Sequence, residues 1–197
     1  MRRFRRIAVY CGSRTGNDPK YAVAARALGL AFAERGIGLV YGGGSIGLMG
    51  VIADAVLAEG GEVIGVIPAK LDDLELGHVG LSQKIVVDGM HPRKATMAEL
   101  SDAFIAMPGG YGTLDEIFEV TTWTQLQDHD KPIGFLNVDG YYDHLLAFLH
   151  HTVNEGFIRQ LHWDMLIAEG DPIRLLDGLS GVHLPGLDKW IHLERPR

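Results

Sequence analysis

Ile37-Gly38-Leu39-Val40-Tyr41-Gly42-Gly43-Gly44-Ser45-Ile46-Gly47 is the stretch that decides the fold. Residues 37–41 are apolar without polar alternation, the pattern of a strand covered on both faces. Three glycines stop it at once, and residues 46–59 then follow a helical pattern closed by Gly60-Gly61. A buried strand, a glycine turn and a helix in immediate succession make half of a βαβ unit. The same order runs outward in both directions. Upstream, residues 7–11 read as a strand, and residues 19–34 as a helix capped by Asp18 with Pro19 at its first position. Downstream, strands are expected at 62–67, 84–87, 103–107, 133–137 and 165–168. Helices are expected at 92–100, 113–126, 141–155 and 172–179, with an irregular stretch over 69–83. This predicts an α/β fold, a doubly wound parallel sheet of Rossmann type, in a single domain over residues 1–197. Residues 1–6 are expected to form a solvated basic arm and residues 181–197 a tail.

Composition agrees. Of 197 residues, 47% are hydrophobic and 22% charged, enough apolar surface for a core. Glycine is in excess, at 26 residues, about 13% against the usual ~7%. The net charge of −7 argues against nucleic acid as a partner. No apolar run reaches the ~18 residues of a membrane span. The arginine-rich start runs into Gly12-Ser13 too soon for a signal peptide. A single cysteine, Cys11, excludes an internal disulfide framework and suits a cytoplasmic protein.

In such sheets ligands bind outside the carboxyl ends of the strands. The glycine turns fall there: Gly12, Gly42–Gly44 and Gly109-Gly110. Backbone N–H groups in glycine turns at helix starts suit an anion. The strand ending Val66-Ile67-Pro68 offers no ribose-binding carboxylate, which counts against an NAD dehydrogenase. Nine histidines show no metal-ligand spacing, and there is no G-x-S-x-G elbow. No cofactor or metal is expected.

Two further stretches carry chemistry. In Pro108-Gly109-Gly110-Tyr111-Gly112-Thr113-Leu114-Asp115-Glu116, Thr113 and Glu116 match a capping box. The same Glu116, one turn into a helix that starts on the ligand rim, could instead act on a substrate. In Met90-His91-Pro92-Arg93-Lys94, Pro92 suits a first helical position. Two cations then occupy a first turn, where the helix dipole disfavours them, and an anionic ligand would explain the pair.

These two stretches together resemble the paired signature of the LOG (LONELY GUY) family of cytokinin riboside 5′-monophosphate phosphoribohydrolases, often labelled lysine decarboxylases. Cys11-Gly12-Ser13, the turn from Tyr41 to Gly50, and Asn137-Val138-Asp139-Gly140-Tyr141-Tyr142 are similar to that family too. The resemblance implies cleavage of the N-glycosidic bond of an N6-substituted AMP, or of AMP, to free base and ribose 5-phosphate. It implies a catalytic pair, Arg93 and Glu116, with Arg93 either holding the phosphate or orienting Glu116. Substrate contacts are implied at Ser13, Gly43, Gly44, Glu75, Lys94, Gly109, Gly110, Tyr111, Gly112, Thr113 and Thr122. It further implies a homodimer or larger homo-oligomer with a small-molecule nucleotide as partner. The rival expectation is a non-catalytic nucleotide or molybdenum-cofactor carrier, which keeps the anion rim and needs no carboxylate.

Overall fold

The apolar strands pair side by side into one parallel sheet. The computed structural model describes residues 2–74 and 77–182. Its strands are β1 (Arg6–Tyr10), β2 (Gly38–Tyr41), β3 (Val63–Pro68), β4 (Gln83–Val87), β5 (Ala103–Ala106), β6 (Ile133–Leu136) and β7 (Leu166–Glu169). They lie in the order β4-β3-β2-β1-β5-β6-β7, and every neighbouring pair is parallel. The strand order reverses between β1 and β5. Loops leaving their carboxyl ends therefore diverge and open a crevice.

Helices cover both faces. Ile7 and Val9 point into one layer with Leu28 and Phe32 of α1 (Lys20–Glu34) and Ile52 and Val56 of α2 (Gly47–Ala58). Leu175 and Leu179 of α8 (Pro172–Gly181) join that layer. Ala8 and Tyr10, one residue out of step, point into the other layer with Met97 of α4 (Met90–Glu99) and Ile117 and Val120 of α5 (Tyr111–Leu126). This is why β1 reads as apolar without alternation. The exception is β4, an edge strand. Its Gln83, Lys84 and Val86 are exposed, and Lys84 pairs with Asp72 at 2.8 Å, the polar dressing an open edge needs.

Two short helices were not expected, α3 (Ala69–Asp72) and α7 (Gln160–Trp163); a single turn carries no 3.6-residue period to read. The helix expected from residue 141 starts later, as α6 (Asp143–Asn154). The Asn137 side chain accepts from the Tyr142 N–H at 2.7 Å and donates to Asp143 at 2.7 Å, holding a 3-10 turn in between. The N-terminal arm is not merely solvated. The Arg2 N–H donates to the Ser180 carbonyl at 2.8 Å, Arg2 pairs with Asp130, and Arg6 opens β1 and pairs with Glu62. Of the expected tail, residues 183–197 lie outside the described residues. No helix among the described residues is long and apolar enough to cross a membrane.

Candidate functional site

A cavity of about 460 Å³ opens at the carboxyl ends of β1 and β2, walled by the starts of α2, α4 and α5. That volume suits a small organic ligand. Of the residues expected to bind substrate, Ser13, Gly44, Gly110, Tyr111, Gly112 and Thr113 line it, together with Arg93 and Glu116.

The floor of polar groups comes from α5. Its N-cap is Gly110, with no side-chain cap, and the Leu114 N–H is the donor that reaches back to the Gly110 carbonyl, at 3.1 Å. The N–H groups of Tyr111, Gly112 and Thr113 precede that bond and belong to the open end of the helix, where an anion is favoured. A β-carbon on Gly110 or Gly112 would meet nothing within 4 Å. Gly109 is different: a β-carbon there would collide with the Thr113 side chain. Gly109 thus makes room for Thr113, and it lines a neighbouring hollow rather than this cavity.

The helix start also removes the capping box. Because α5 begins at Tyr111, Thr113 is its third residue and Glu116 its sixth, too far along for either to cap. Glu116 instead points inward, 7% exposed, and among the described residues its Oε1 accepts no hydrogen bond. Burial pushes its carboxyl above the ordinary glutamate value; the charge of Arg93 works against that, Asp115 and Glu119 add to it, and Lys94 opposes it.

Arg93 is the partner. Its helix begins at Met90, two residues before the expected Pro92; a proline at the third position still falls in the turn whose N–H groups lack intrahelical acceptors. That start carries Arg93 past the first turn and under the sheet rim. Its Nε donates to the Val66 carbonyl at 3.1 Å and its Nη2 to the Gly42 carbonyl at 3.4 Å. Nη1 lies 3.2 Å from Glu116 Oε1. The guanidinium is thus tied to two strand-end carbonyls and one carboxylate.

Other expected contacts lie elsewhere. Lys94 does not line the cavity: its ammonium sits 3.2 Å from Asp115 and 3.0 Å from Glu119. Desolvation works against that charge, but the two carboxylates prevail and its pKa is raised. Thr122 donates to the Phe118 carbonyl at 2.8 Å within its own helix. Gly43, at φ 76°, lies behind the turn, its carbonyl taken by the His78 N–H at 2.9 Å. Glu75 lies outside the described residues.

Several lining residues were missed. Ile46, Met49, Ile67, Leu71 and Met90 form an apolar wall. Nothing in their chemistry distinguishes them from core; only their places at strand ends and first helical turns could have signalled it. Tyr10, also on the cavity, keeps a buried hydroxyl without a hydrogen-bond partner among the described residues. Burial, with Glu116 and Glu119 adding to it, holds that phenol well above its ordinary pKa. Among the described residues, no cluster of three or more His, Cys, Asp or Glu could hold a metal.

Comparison with known proteins adds a family model described as "Possible lysine decarboxylase", which matches residues 49–179. The chain is 57% identical over 156 residues to the probable cytokinin riboside 5′-monophosphate phosphoribohydrolase LOGL5 of Oryza sativa subsp. japonica, covering 79% of this chain and 63% of that protein. It is 56% identical to the enzyme LOG of the same plant, covering 80% of this chain and 65% of that protein. The chain therefore spans less than two thirds of the length of these two relatives. It is 49% identical to LOG2 of Arabidopsis thaliana, covering 96% and 88%. Among solved structures, the molybdenum cofactor binding protein of Rippkaea orientalis superposes with a TM-score of 0.68 at 24% identity, covering 90% of this chain and 95% of that one. The molybdenum cofactor carrier of Chlamydomonas reinhardtii superposes at 0.67 and 22%, covering 88% and 96%. At those identities the likeness is one of fold.

Proposed function

The chain belongs to the LOG family, and from that membership we propose that it hydrolyses the N-glycosidic bond of an N6-substituted adenosine 5′-monophosphate. The products are the free base and ribose 5-phosphate. The observation that carries this reading is the Arg93–Glu116 pair, held at 3.2 Å in the wall of the cavity onto which α5 opens its N–H groups.

The chemistry follows from those parts. The phosphate sits on the N–H groups of Tyr111, Gly112 and Thr113, with Ser13 and Gly44 beside it. This anchoring, remote from the reacting bond, positions the sugar. As C1′–N9 breaks, the base leaves with the bonding electrons and takes a proton from solvent, to which Glu116 afterwards returns the one it gains, and positive charge builds on the ribose. The Glu116 carboxylate stabilises that charge and takes a proton from the water that attacks C1′. Arg93, tied to the Val66 and Gly42 carbonyls, keeps Glu116 ionised and aimed. The apolar wall of Ile46, Met49, Ile67, Leu71 and Met90 suits a hydrocarbon substituent on N6.

We read the working unit as one domain in a cytoplasmic homodimer or larger homo-oligomer, which light scattering on the purified protein tests. The lysine decarboxylase description fits less well: among the described residues no lysine lines the cavity, so none there could form the Schiff base that pyridoxal chemistry needs. The deciding experiment is chromatography of base and ribose 5-phosphate after incubation with isopentenyladenosine monophosphate, AMP and the two nucleosides. Release from the monophosphates and little from the nucleosides is expected. Release from none identifies a carrier, and equal release from nucleotide and nucleoside removes the phosphate anchor.

A further inference from the structure

Lys94 and Glu119 have no part in the chemistry above, yet both adjoin the groups that do. Arg93 and Lys94 are consecutive on α4, and Asp115, Glu116 and Glu119 share little more than one turn of α5. Arg93 faces Glu116 at 3.2 Å. Beside that contact, Lys94 faces Glu119 at 3.0 Å and Asp115 at 3.2 Å. Two cations thus meet three carboxylates along one helix seam. Lys94 is only 7% exposed. Burying a lysine head is costly and is retained only where its partners repay it. With the cavity out of its reach, the repayment comes from the seam.

We propose that Lys94 and Glu119 are positioning residues for Glu116: their pairing fixes the register of α5 on α4, and their opposite charges set how readily Glu116 gives up its proton. Its catalytic consequence rests on the hydrolase reading. Among the described residues, the titratable and charged groups close enough to act on Glu116 through their charge are Arg93, in contact, and Lys94 from α4, Asp115 and Glu119 from its own helix, and Tyr10 and Cys11 from β1 and the turn after it. Tyr10 and Cys11 are held neutral by burial, so four charges set the balance. Removing Lys94 takes away a cation that favours the carboxylate. Removing the charge of Glu119 takes away an anion that disfavours it. The two changes therefore move Glu116 in opposite directions, which loosened packing alone would not do.

The test is a carboxyl ¹³C NMR titration of glutamate-labelled full-length protein, with the Glu116 signal assigned from E116Q. The titration midpoint should rise by at least ~0.5 pH unit in K94M, fall in E119Q, and stay near wild type in K94R. In parallel, kcat for isopentenyladenosine monophosphate should drop about tenfold in K94M at neutral pH with KM within ~3-fold, because the substrate is still held at α5. The pH profile is read in kcat, since the substrate phosphate itself titrates near ~6. Midpoints that do not move, or that move the same way, overturn the proposal. So does a K94M whose KM rises tenfold with kcat unchanged, which would make Lys94 a phosphate ligand. Should K94M not fold, E119Q and the paired K94M/E119Q carry the titration, the latter expected near the wild-type midpoint. If wild type releases no base from any monophosphate, the hydrolase reading falls, and the NMR midpoints still decide this one.

Discussion

Gly42 leaves the space that the guanidinium of Arg93 fills: a β-carbon on Gly42 would fall onto Nη2, the same atom that donates to the Gly42 carbonyl at 3.4 Å. A glycine that reads as part of an anion cradle is a socket for a side chain. Gly42→Ala should therefore displace Arg93 and unpair Glu116. The expected result is at least a tenfold fall in kcat and a loss of about 1–3 kcal/mol of stability, the usual cost of overpacking, read by base release and by denaturant melts.

The two members of the buried pair should fail differently. Glu116→Gln should cut kcat by at least ~100-fold at the smaller cost in stability, because the guanidinium left behind keeps its bonds to the Val66 and Gly42 carbonyls. Arg93→Ala should cut kcat as far and also destabilise by about 3–5 kcal/mol, since it strands a carboxylate in a buried site. Equal melting curves for the two variants would contradict the ion pair.

The buried carboxyl also fixes a pH signature. Folding raises the pKa of Glu116, so the folded state binds its proton more tightly than the unfolded state. The stability this contributes is fully present below the unfolded value, about 4.3, and is lost as pH rises through the higher folded value. The difference in Tm between Glu116→Gln and wild type should therefore grow in favour of the variant from pH ~4 toward neutrality. A difference that stays flat with pH would mean that Glu116 is not held in a desolvated site.

The glycines on either side of the start of α5 should separate binding from folding. A β-carbon on Gly112 meets open space, and one on Gly109 meets Thr113 and the backbone of Gly12. Gly112→Ala should keep its Tm and raise KM for the monophosphate several-fold by crowding the anion. Gly109→Ala should lower Tm by several degrees, about 1–3 kcal/mol of overpacking. Calorimetry beside initial rates distinguishes the two.

The strands and long helices were legible because burial on two faces writes itself into residues 7–11, 37–41 and 103–107 as apolar runs. The start of α8, Pro172 capped by Asp171, was legible too, but two other helix starts were not. At Met90 and Tyr111 the first turn carries glycine or proline nearby but no side-chain cap, so the local signal pointed two residues downstream in each case. That small shift decided the chemistry: it turned Glu116 from a cap into a buried acid and carried Arg93 under the rim. Lys94, next to Arg93 in sequence, is rotated about 100° round the helix and faces another partner, which residue type alone cannot reveal. The apolar wall stayed hidden because a cavity lining and a core look alike in composition.

The division of the rim into a backbone-built end at α5 and a side-chain-built wall across from it means that two traits can drift apart. Exchanging Leu71, Met49 or Met90 would retune which purine derivative is accepted while the grip on its charged handle, made by backbone N–H groups elsewhere on the rim, is inherited unchanged.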